Sequence, residues 1–74
     1  MSTFQTRKLI HEFTQRRDDT LEAVVDYQDQ IEQFISSGDD TKCEYFTYRV
    51  NMLVHHKAIL STLNDVLARL NSLN

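Results

Sequence analysis

The sequence predicts an all-α protein, two long helices folded back on one another as an antiparallel hairpin. Three observations carry that expectation. The 74 residues include one glycine and no proline, too few turn formers for a set of short strands. Apolar residues recur at three- and four-residue steps on both sides of residue 38, the period of an amphipathic helix. The one clear interruption is the polar stretch Ser36-Ser37-Gly38-Asp39-Asp40. At 8.7 kDa the chain is expected to be a single unit over residues 1–74. A chain of this size buries only about 60% of its unfolded surface on folding.

The first helix is expected from about residue 3 to 36. Ile10, Leu21, Val24, Ile31 and Ile35 fall on alternating three- and four-residue steps that also pass through Thr14, Arg17 and Gln28. Phe13, Tyr27 and Phe34 sit one position before those steps and broaden the stripe. Asp19 with Glu22 three residues later forms a weak capping pair, at which this helix would be interrupted near residue 18.

Gly38 suits the left-handed position that ends a helix, so the turn is expected over 37–40. Asp40, or Thr41 with Glu44, then supplies the cap of a second helix running from about 41 to 72. At 1.5 Å per residue both are rods of roughly 45–50 Å.

The second helix carries more apolar surface than one neighbour can cover. Tyr45, Met52, Ile59, Val66 and Leu73 recur every seven residues beside an adjacent column of Phe46, Leu53, Leu60 and Leu67. Leu63 and Leu70, three residues after Leu60 and Leu67, complete the stripe, and Val50 and Val54 widen the sector again. We assign Ile10, Phe13, Leu21, Val24, Ile31 and Phe34 of the first helix, with Phe46, Leu53, Leu60, Leu63 and Leu67 of the second, to packing within the chain. Tyr45, Met52, Ile59 and Val66 are assigned to a partner. The two columns are neighbours around the helix, and the reverse assignment satisfies the spacing as well. The surplus calls for either self-association into a four-helix bundle or docking on a different protein.

The net charge of −3 is unevenly laid out. Residues 1–17 hold Arg7, Lys8, Arg16 and Arg17 against Glu12; residues 18–44 hold nine acids against Lys42; residues 45–74 hold Arg49, Lys57 and Arg69 against Asp65. An acidic middle third repels a phosphate backbone, which argues against nucleic-acid binding. No apolar run approaches the 18 or more residues of a membrane span, and the first fifteen residues carry charges instead of an apolar secretion segment.

Chemistry finds no foothold in the residue types. His55 and His56 point about 100° apart on a helix and do not form a two-ligand site, and His56 belongs to the seam with Leu53 and Leu60. His11, Glu12 and Asp18 lack zinc-binding spacing. Cys43 is read as a half-buried residue in the first turn of the second helix, and one cysteine makes no internal disulfide. Glu22, Asp26 and Asp29 share a wet face without the concavity that acid–base work needs. The expectation is no enzyme, no cofactor and no metal.

The turn and the second helix carry a resemblance. Gly38-Asp39-Asp40-Thr41-Lys42, then Tyr45, then Leu53, Ile59, Leu60, Leu63 and Val66, resemble the small co-chaperones of the bacterial type III secretion needle subunit. The similarity runs from Ser37 to about Leu67, whereas the first helix matches only in length, polarity and occasional apolar spacing. The resemblance implies a helical hairpin in the bacterial cytoplasm, part of a virulence secretion apparatus. It further implies a protein that binds and stabilises a tetratricopeptide-like chaperone and, through it, keeps the needle subunit from polymerising before export. The alternative is an obligate homodimeric four-helix bundle, a regulatory or nucleic-acid-associated adaptor using the basic first turns around Arg7, Lys8, Arg16 and Arg17.

Overall fold

A computed structural model describes residues 3–38 and 43–73. Helix α1 spans Thr3–Ser36 and helix α2 spans Glu44–Ser72, packed against each other as an antiparallel hairpin. The molecule measures 54 × 14 × 14 Å, and its radius of gyration is 16.6 Å. A globular chain of this length would have a radius of about 11 Å. The fold is a rod pair whose core is a single seam.

α1 is continuous through residue 18, so the Asp19–Glu22 pair does not interrupt it. Tertiary packing along the whole seam outweighs a local capping preference that is worth about 1 kcal/mol. Around that point, Thr20 Oγ1 donates to the carbonyl of Arg16 at 2.8 Å, and Arg17 pairs with Asp18 at 3.0 Å. The helix ends where the sequence places its glycine. Gly38 has φ +76°, and its N–H donates to the Ile35 carbonyl at 3.1 Å, one of the bonds that satisfies the orphaned last-turn carbonyls.

α2 begins at Glu44, three residues later than the spacing suggests. Cys43 is therefore its N-cap, with extended backbone (φ −72°, ψ 155°), and not a residue of its first turn. The Cys43 side chain makes no capping hydrogen bond, and Glu44 supplies the negative charge that the helix N-terminus favours. The capping candidates Asp40 and Thr41 lie outside the described residues.

The seam runs one residue away from part of the α1 stripe. Thr6 and Val24 are buried, and Phe13, Thr20, Tyr27 and Phe34 are half-buried on a seven-residue column beside Ile10, Arg17 and Ile31. Leu21 and Ile35 are instead 46% and 57% exposed. This corrects the assignment of Leu21 to packing within the chain. Rotating α1 to bury the column of Thr14, Leu21, Gln28 and Ile35 would expose three aromatic rings in return for two aliphatic side chains, and rings bury the larger area.

Candidate interaction surface

Antiparallel pairing fixes which columns share a side of the hairpin. Both helices are right-handed and run in opposite senses, so columns that precede the seam on each helix project to the same side. On α1 that column is Leu9, Arg16, Ala23 and Gln30; on α2 it is Tyr45, Met52, Ile59 and Val66. A hydrogen bond marks this side: Arg49 Nε donates to Gln30 Oε1 at 2.7 Å.

The residues assigned to a partner all lie on this one face. Tyr45 is 63% exposed and Ile59 is 36% exposed, whereas Met52 and Val66 are half-buried at the margin of the seam. Of the residues assigned to packing on α2, Leu63 and Leu67 are buried and Phe46, Leu53 and Leu60 are half-buried. Phe46 meets Phe34 with ring centroids 5.4 Å apart. On α1, Ile10, Phe13, Ile31 and Phe34 are half-buried.

Spacing alone did not single out Tyr48, Leu9 and Ala23 as neighbours of this face. Tyr48 is 56% exposed on the outer rim of α2, and Leu9 and Ala23 are half-buried. The available signal was the seven-residue column through Leu9 and Ala23, which Arg16 and Gln30 disguise as polar. The two arginines beside this face, Arg16 and Arg49, lend it less charge than their identity suggests. The Arg16 guanidinium lies 5.2 Å from the Phe13 ring centroid, and that of Arg49 lies 3.6 Å from the Tyr45 ring. Stacked cations of this kind keep an apolar stem on the surface and a weakly hydrated plane over the ring.

The opposite side carries Thr14, Leu21, Gln28 and Ile35 on α1 and Val50, Lys57, Asn64 and Asn71 on α2. It is the more polar of the two. The back of α1 presents Asp18, Asp19, Glu22, Asp26, Asp29 and Glu32, all exposed. Among the described residues the single ion pair is Arg17–Asp18, so most of these carboxylates have no cation beside them.

His56 is half-buried in the seam. Its ring lies 5.4 Å from that of Tyr27, and its Nδ1 is 2.7 Å from the Met52 carbonyl. A carbonyl only accepts, so Nδ1 carries the proton in this bond. His55 is exposed, with its ring nearly perpendicular to that of His56. Among the described residues no group of three or more His, Cys, Asp or Glu is placed to hold a metal ion, and no helix is long and apolar enough to cross a membrane. Cys43 is a free, half-buried thiol. The hollows are shallow: one of about 380 Å³ is lined by Gln5, Lys8, Leu9 and Glu12 along about two turns of α1.

No protein family, curated protein or solved structure matches this chain. The functional reading rests on the surface itself and on the resemblance in the turn and second helix.

Proposed function

We propose that this chain is a non-enzymatic co-chaperone of the needle-subunit type, which binds a tetratricopeptide-like chaperone in the bacterial cytoplasm and stabilises it. The observation that carries the reading is the imbalance between core and surface. Among the described residues, Val24, Leu63 and Leu67 are the buried apolar side chains, whereas nine large apolar residues are exposed, Tyr45, Tyr48, Ile59 and Leu73 among them on one side of α2. A hairpin with so thin a core gains stability from whatever binds its folded form. Concave stacks of helix pairs offer the complementary shape for a straight apolar rod. The partner face is centred on Ile59, with Tyr45, Met52 and Val66 along the same column. The needle subunit is then reached through the repeat chaperone and not gripped directly.

The test is co-expression of the chain with the products of genes neighbouring its own, followed by size exclusion with light scattering. A tight one-to-one or ternary complex that includes a helical-repeat protein is the expected result. A chain that elutes alone beside every such neighbour overturns the assignment.

A further inference from the structure

We propose that, without another protein on it, the Ile59 face is covered by a second copy of this chain, in a four-helix bundle whose two-fold axis runs parallel to the helices. Area and charge both point there. The accessible surface is 5526 Å², whereas a compact monomer of this mass exposes about 4,700 Å². The excess of about 800 Å² equals what each partner buries in a standard protein–protein interface.

The rims of the face choose the geometry. Its α1 edge is the exposed column Glu12, Asp19 and Asp26, and its α2 edge is the exposed column His55, Thr62 and Arg69, which has no carboxylate. Glu12, Asp26 and Arg69 have no ion-pair partner among the described residues. If the two-fold axis ran across the helices, α1 would lie on α1 of the second copy and the two acidic rims would meet. With the axis along the helices, α1 lies antiparallel on α2 of the second copy and opposite rims meet. The Phe34–Phe46 and Tyr27–His56 contacts set the offset between the helices. Carried along the rods, that offset brings Glu12 level with Arg69, Asp19 with Thr62 and Asp26 with His55 of the second copy. Ala23, the smallest residue of the α1 column, comes level with Ile59 of the second copy, so the branched Ile59 side chain meets the lowest point of the α1 column.

This proposal does not depend on the co-chaperone reading, since the second copy needs no other protein. The experiment is sedimentation equilibrium of the full chain from micromolar to near-millimolar concentration, with helicity followed by circular dichroism. The expected species is a dimer of about 17 kDa, twice the 8.7 kDa chain. Arg69→Glu should raise the dimer dissociation constant about tenfold, because two symmetry-related pairs turn from attraction to repulsion. Glu12→Arg combined with Arg69→Glu should restore it to within about twofold of the parent. Both positions are exposed, so the hairpin's own packing is left alone. A chain that stays monomeric throughout the range overturns the proposal, as does a dimer indifferent to the Arg69 reversal or a higher oligomer.

Discussion

Arg49 and Gln30 join the two helices near the closed end of the hairpin, with Arg49 Nε donating to Gln30 Oε1 at 2.7 Å. The same guanidinium stacks 3.6 Å from the Tyr45 ring centroid and donates through an Nη to the Tyr45 carbonyl at 3.3 Å. One side chain therefore ties the two helices together and orders the ring at the end of the proposed partner face. Arg49→Ala should cost about 1 kcal/mol in urea denaturation, the sum expected from one hydrogen bond and one partly solvated stacking contact. A double-mutant cycle with Gln30→Ala should return a coupling of about 0.5 kcal/mol. Strict additivity of the two changes would show the bond to be energetically silent.

The choice of seam column on α1 gives a contrast between two leucines. Leu67 is 5% exposed and Leu21 is 46% exposed. Leu67→Ala should destabilise the hairpin by about 2–3 kcal/mol, at the lower end of core truncations because the core is narrow. Leu21→Ala should stay within about 0.5 kcal/mol of the parent, helped by the helix preference of alanine. Thermal melts followed at 222 nm (a helix signal) read both, and equal losses would mean that α1 sits in the rotation inferred from its spacing alone.

Gly38 ends α1 at φ +76°, and a Cβ added there would meet nothing within 4 Å. The cost of Gly38→Ala is thus a backbone cost, about 1 kcal/mol for a left-handed alanine. Chemical denaturation should show that loss with an unchanged slope, since the surface exposed on unfolding is the same. A larger loss with a changed slope would point to a rearranged turn.

Ile59 is the centre of the proposed partner face and, 36% exposed, lies outside the buried seam. Ile59→Asp should abolish co-purification of the repeat chaperone while the circular dichroism spectrum stays helical. Retained binding would move the docking surface to the opposite side, around Leu21 and Val54. Lys57→Glu, on that opposite side, serves as the control and should leave co-purification intact.

Much of this architecture was legible in the residues because it depends on local signals. A lone Gly38 between two long periodic stretches dictates one reversal, and the columns of Phe46, Leu53, Leu60 and Leu67 are visible as a seven-residue repeat. Cys43 was harder. Its place before the first turn depends on where the chain must be to bring Phe46 onto Phe34, 5.4 Å away across the seam. Leu21 was misread for a related reason: hydropathy alone ranks it above Thr20, its immediate neighbour on the seam side.

By itself the sequence determined that this protein is two helices, where they reverse, and that its apolar surface exceeds what a hairpin can cover. Composition, helical periodicity and glycine's freedom at positive φ are properties of single residues and their near neighbours. Only the tertiary structure decided the rotation of each helix about its axis. That angle set Thr20 inward and Leu21 outward, drew Leu9 and Ala23 beside the Ile59 column, and opposed the acidic rim to the rim of Arg69. Rotation is settled by the joint burial of Phe13, Tyr27 and Phe34 against α2, a sum over both helices that no single stretch of chain contains.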